Sequence, residues 1–256
     1  MDLSPHNHKR CDSKLCQYGN VCNLVALCLT LVLIAGFAQA EMSLDRLILD
    51  FQPGDSHHKD IQVFNNDKKN LYVNVSVSEV LEPGTEHEKR ILVKDLEKRP
   101  LVATPQKLIV SGNSQKNVRL VSLEDAGKTD RIFRVNFSPA LGELKAKASG
   151  IKILIAYQAL IIVRANTPVA KVVAERKGNK IVFKNTGNTN VILQNGSQCN
   201  PEAIKECEKL NTRRLYAGNV WELTMPFNAP VTYDLDDGVK VITQTFGVIK
   251  KSAWRP

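Results

Sequence analysis

The chain has 256 residues, with 35 lysines and arginines against 26 aspartates and glutamates, a formal net charge of +9, and 43% hydrophobic residues. That hydrophobic share excludes a disordered polyelectrolyte, and the length suits two compact domains better than one. The basic balance would suit an acidic partner, a membrane surface or nucleic acid, but the lysines are scattered and no basic stretch is interleaved with aromatics, so nucleic acid is not expected.

The first forty residues read as a removable leader. Lys9, Arg10 and Lys14 precede an uncharged apolar run from Val21 to Phe37, and Ala38-Gln39-Ala40 has the form of a cleavage site. A secretory signal over residues 1–40 and a mature start at Glu41 are therefore expected, although so long a leader leaves the start codon open. The run is short for a membrane span and ends in small residues, without a basic stop-transfer flank, so stable membrane insertion is not expected. Cys28 follows Val-Ala-Leu and lacks the small residue that precedes a lipidated cysteine. Setting the leader aside leaves Cys199 and Cys207, an even pair in an exported chain, which reads as one disulfide.

From Ser43 onward short alternating runs are separated by turn residues. Strands are predicted at 44–51, before Gln52-Pro-Gly-Asp55, at 60–64, before Asn65-Asn-Asp67, and at 71–80, before Glu82-Pro-Gly84. More follow at 108–110, 116–121 and 131–137. The longest apolar run is Gly150 to Arg164, with Ile151, Ile153, Ile155 and Tyr157 on one face and Lys152, Leu154, Ala156 and Gln158 on the other. Two readings are open: a central strand buried on both faces, or an edge strand whose partner is another chain. After Asn166-Thr-Pro168 the pattern restarts, with strands predicted at 169–174, 180–183, 190–193, 213–216, 220–225, 231–235 and 241–249. About seven short strands in the first part and seven in the second predict two immunoglobulin-like β-sandwiches, residues 41–165 and 166–256, with a cleft between them.

Enzyme signatures are sparse. There is no G-x-S-x-G, no H-E-x-x-H and no phosphate-binding glycine loop. His57-His58 beside Asp60 could suggest a metal fragment, but adjacent residues of an extended chain point oppositely, which favours a solvated turn. Neither catalysis nor a cofactor or metal is expected.

Several motifs in order carry a resemblance. Ser43-Leu-Asp-Arg46, then Val102-Ala-Thr-Pro-Gln-Lys-Leu-Ile109, Ser114 to Leu120 with Arg119, and Ile132-Phe-Arg-Val-Asn-Phe137 closely resemble the first domain of the periplasmic chaperones of chaperone–usher pili. Asn185-Thr-Gly-Asn188 with Cys199 and Cys207 resembles the alternate branch serving class 5 and common-pilus fimbriae. The resemblance implies an all-β protein of two immunoglobulin-like domains set in an L. It also implies a periplasmic role: binding fimbrial subunits by lending them a strand and delivering them to an outer-membrane usher. The lent strand would be Ile151 to Arg164, with donor side chains at Ile151, Ile153 and Ile155.

The better-known branch holds the subunit's C-terminal carboxylate with an arginine and a lysine, and residue matching puts Ile48 and Leu160 at those positions. Arg46 and Arg164 lie at even shifts from them and are the expected substitutes, with Arg119 and Arg134 as further candidates. The competing reading is a two-domain pilus subunit or adhesin. Such a subunit should begin with an alternating apolar extension, whereas Glu41 leads at once into a strand that looks integral. Whether the free protein covers its edge by self-association is left open.

Overall fold

The structure, a computed structural model, describes residues 41–92, 100–140, 154–203 and 205–247. The expected leader and the donor positions Ile151 and Ile153 lie outside the described residues. Every regular element among those described is a strand, and none of their segments is a helix long and apolar enough to cross a membrane.

The first half contains β1 (Met42–Leu44), β2 (Ile48–Phe51), β3 (His58–Asn65), β4 (Leu71–Leu81), β5 (Lys89–Leu92), β6 (Leu101–Thr104), β7 (Lys107–Val110), β8 (Ser114–Ser122), β9 (Arg131–Pro139) and β10 (Tyr157–Val163). One sheet runs β1-β3-β8-β6 and the other β2-β10-β9-β4-β5, with β7 also pairing β4. Alternation puts Ile61, Val63, Val118 and Leu120 of the first sheet against Val73, Val75, Val135, Phe137 and Ile161 of the second, and all are buried. At about 25 cal/mol per Å² of apolar area, each such side chain stabilises by roughly 2 kcal/mol.

Two expectations need correction here. The strand predicted at 44–51 is two strands in different sheets, β1 on β3 and β2 on β10. The break falls at Asp45, whose N–H donates to Gln62 O (3.1 Å) and whose Oδ1 accepts from Gln62 N–H (2.8 Å), so the chain leaves the first sheet without orphaned polar groups. In the run ending at Arg164, the described residues 154–156 lie outside the strand, which begins at Tyr157. Leu160 to Val163 lie between β2 and β9, whereas Tyr157 to Ala159 pair β9 alone among the described residues.

The second half contains β11 (Val172–Lys177), β12 (Lys180–Asn185), β13 (Val191–Cys199), β14 (Cys207–Lys209), β15 (Arg213–Leu215), β16 (Val220–Thr224), β17 (Val231–Asp236) and β18 (Val241–Phe246). The sheets run β11-β12-β16 and β14-β13-β17-β18, with β15 also on β13. Their core is aromatic, with Phe183 stacked on Trp221 and edge-on to Tyr233 and Phe246. Burial pushes the Tyr233 phenol up to about 12, and its hydroxyl donates to Asn211 O (3.1 Å). Cys199 and Cys207 face each other across β13 and β14 and are joined by a disulfide.

Candidate functional site

β10 organises the site. Its inner face, Ala159, Ile161 and Val163, belongs to the first core, and its outer face, Leu160 and Ile162, packs with Val80, Ile132 and Tyr216 in a separate cluster. Burial on both faces explains why Ala159 to Val163 are apolar without interruption. On its other edge, β2 begins only at Ile48, opposite Leu160, where Leu160 N–H donates to Leu47 O (2.8 Å). Before that point one edge of β10 has no strand against it among the described residues. Tyr157 packs on the core, and Ile155, two residues earlier and in the same phase, is 50% exposed.

The outer face of the second sheet has readable rows. Ile48, Leu160, Arg134 and Ser78 stand side by side on β2, β10, β9 and β4. One row on lie Asp50, Ile162, Ile132, Val80 and Arg90; on the other side lie Gln158, Asn136 and Ser76. The two residues matched to the family's basic pair are therefore cross-strand neighbours, and Arg134 is the next residue in their row.

The four candidate cations stand in different circumstances. Arg164 is buried, its side chain only 2% exposed. Nε and Nη2 donate to the two carboxylate oxygens of Asp50 (3.1 Å each), and Nη1 donates to Thr189 Oγ1 (2.8 Å) and Asn190 O (3.1 Å). Asp130 Oδ2, 3.7 Å from that Nη1, accepts from Thr189 Oγ1, Asn190 N and Asn190 Nδ2, while its Oδ1 accepts from Ala165 N. The geometry makes Arg164 the centre of a joint between the first strands and the segment entering β13, its guanidinium engaged within the chain. Arg119 lies on the other sheet in a two-pronged ion pair with Asp60 (2.9 and 3.0 Å), whose carboxyl is held below its usual range by that hydrogen bond. Arg46 is exposed between β1 and β2, its Nε on Asp45 Oδ2 at 2.6 Å. Arg134 Nε is sealed from water without a hydrogen-bond partner, and Arg134 makes no ion pair among the described residues.

Groups not singled out in the sequence complete this face. Tyr216, on the second half, caps the Leu160–Ile162 cluster; burial raises its phenol, opposed by Arg214 and Arg134. Arg214 donates to Asn190 Oδ1, and burial lowers its guanidinium. Gly84, at φ +72°, brings the turn after β4 against Tyr216 and Asn219, where Asn219 Nδ2 donates to Pro83 O (3.1 Å). A Cβ on Gly84 would lie 2.9 Å from Asn219 Oδ1, so glycine is required by both backbone and neighbour. The residues that follow, Glu88 and Arg90, carry no signal in the sequence, because β5 is short, fully exposed and has no alternation to mark it.

Comparison with known proteins fits this architecture. A family model, the CS5 fimbrial protein N-terminal domain, matches residues 49–164. Two curated proteins of Escherichia coli are similar in sequence: a CS1 fimbrial subunit, 28% identical over 207 residues (77% of this chain, 85% of that protein), and a CFA/I fimbrial subunit, 22% identical over 169 residues (66% and 69%). Among solved structures, the class 5 fimbriae chaperone CfaA matches with TM-score 0.61 at 21% identity, covering 80% of this chain and 98% of that one. A chain of the Salmonella enterica SafA pilin–SafB chaperone complex matches with TM-score 0.56 at 14% identity, covering 82% and 98%. The fold is thus the two-sandwich all-β fold of the chaperones of chaperone–usher pili.

Proposed function

We propose that this protein is a periplasmic chaperone that lends a strand to fimbrial subunits and passes them to an outer-membrane usher. The observation that carries this reading is the open edge of β10 before Leu160, with Ile155 half exposed in phase with core residues Ala159 and Ile161. By the two-residue period of an extended chain, Ile153 and Ile151 in the sequence would share a face with Ile155, which is the pattern needed to fill a groove in a subunit lacking a strand. Three buried isoleucines at roughly 2 kcal/mol each would hold a subunit without covalent chemistry. The signal over residues 1–40 accounts for export, and the boundary at 165/166 follows the separation of the two cores, one ending at Val163 and the other beginning at Val172.

Of the candidate anchors, Arg134 is the one we assign to the subunit's carboxylate. It is next in row to Leu160, and it is the candidate cation with an unpartnered buried donor. Arg46 is the secondary candidate. The competing reading, a pilus subunit, draws on the names of the two Escherichia coli relatives. Coexpression with neighbouring fimbrial genes tests both: a one-to-one complex abolished by Ile153→Asp in a folded protein supports the chaperone, whereas a ladder of self-polymers supports the subunit.

A further inference from the structure

Arg90 stands on β5, at one margin of the sheet, yet its Nη1 reaches Gln158 Oε1 on β10 at 3.2 Å. In the order β10-β9-β4-β5 the two side chains must meet above β4 and β9. Arg90 is rooted in the row of Val80 and Gln158 in the row of Asn136, so the pair spans the intervening row, which holds Ser78 and Arg134. Glu88 feels the positive charge of both Arg90 and Arg134, so the two guanidinium groups share one patch of surface. The carboxylate that touches Arg90 is Glu88, whose Oε1 accepts from Arg90 Nε and Nη2 at 3.3 Å each. These contacts are long for ionic hydrogen bonds, which usually fall at about 2.7–2.9 Å. Glu88 is held instead by its other oxygen, which accepts from Gly84 N–H at 2.9 Å, and that bond is the largest cause of its depressed carboxyl pKa. The patch thus carries two cations and one loosely engaged anion, one residue row from the open edge.

We propose that Arg90 is the second arm of the Arg134 anchor and that Glu88 is a resident carboxylate that an incoming carboxylate must displace. The inference rests on the chaperone reading above. The incoming group belongs to the polypeptide paired on β10, as its chain terminus or as an acidic side chain near it. When it arrives, Arg90 turns from Glu88 and Gln158 to share the new carboxylate with Arg134, while Glu88 stays tethered to Gly84.

The test uses the full mature chain and the fimbrial subunit that copurifies with it, measuring dissociation constants for Glu88→Gln, Arg90→Gln and Arg134→Gln. Arg90→Gln and Arg134→Gln should each weaken binding about tenfold or more, as loss of an ionic hydrogen bond does. Glu88→Gln should tighten binding several-fold. Subunit prepared with a C-terminal carboxamide, and separately with its terminal-strand acidic side chains changed to amides, identifies the source: the form whose affinity no longer responds to the three substitutions carried the carboxylate. Unchanged or weaker binding by Glu88→Gln, or equal responses with all subunit forms, overturns the proposal. Those results would leave the chaperone reading intact, whereas failure of the unmodified protein to capture any subunit would remove that reading itself. Thermal unfolding of each variant separates folding losses from binding losses.

Discussion

Arg164 and Asp130 are buried together, Nη1 3.7 Å from Oδ2, and each is also bonded to Thr189 and Asn190 on the second half of the chain. The pair therefore joins the end of β10 to the entrance of β13. Removing one member would leave the other charge in a site without water to receive it. Arg164→Ala is expected to destabilise by about 3–5 kcal/mol, read as a lower urea midpoint. A loss below about 1 kcal/mol would mean that the joint is not what holds the two halves.

Ile155, just before β10, and Ile161 within it are an even number of residues apart, but one is half exposed and the other fully buried. Ile155→Asp should leave stability within about 0.5 kcal/mol and abolish subunit capture, whereas Ile161→Asp should prevent folding. Circular dichroism and pull-down read the two effects separately. Unimpaired capture by Ile155→Asp would remove this residue from the lent face.

Gly84 adopts a left-handed conformation in contact with Tyr216 and Asn219. Gly84→Ala adds a strained backbone and a side chain without space, and should cost about 1–3 kcal/mol in thermal or denaturant unfolding. If stability is unchanged, the turn after β4 is not fixed by the second half.

Asp60 and Glu88 both have lowered carboxyl pKa values, through the Arg119 hydrogen bond and the Gly84 N–H respectively. A folded pKa below the unfolded one contributes stability that is fully present above the unfolded value. Here that contribution should fade as pH falls below the ordinary 3.8 for Asp60 and 4.5 for Glu88, through their lowered folded values. Replacing Asp60 by Asn should flatten this part of the pH–stability curve measured by urea unfolding. An unaltered curve would assign the acid dependence to other carboxylates.

Much of the fold was legible because alternation and turn chemistry agree along the chain: Leu71 to Val80, Arg131 to Phe137 and Val231 to Leu235 are strands where the pattern puts them. The departure at Asp45 was hidden because a strand changing sheets keeps its period while its partners change. β5 and β14 lacked an apolar phase. The site was less legible than the fold. Even spacing placed Arg164 on the same side of the strand as Leu160, but sequence carries no measure of depth, and the acidic partners that engage it, Asp50 and Asp130, are distant in the chain. Arg134 acquires its meaning from register, since only the ladder between β9 and β10 sets it beside Leu160.

The buried half and the open half of β10 are one unbroken backbone, gripped by β2 and β9 from Leu160 onward. If the strand is lent as proposed, tension applied to a captured guest would pass into a segment hydrogen-bonded on both sides rather than into a yielding tether. The guest would be stripped from the handle before the handle tore loose, which lets the host survive release and serve again.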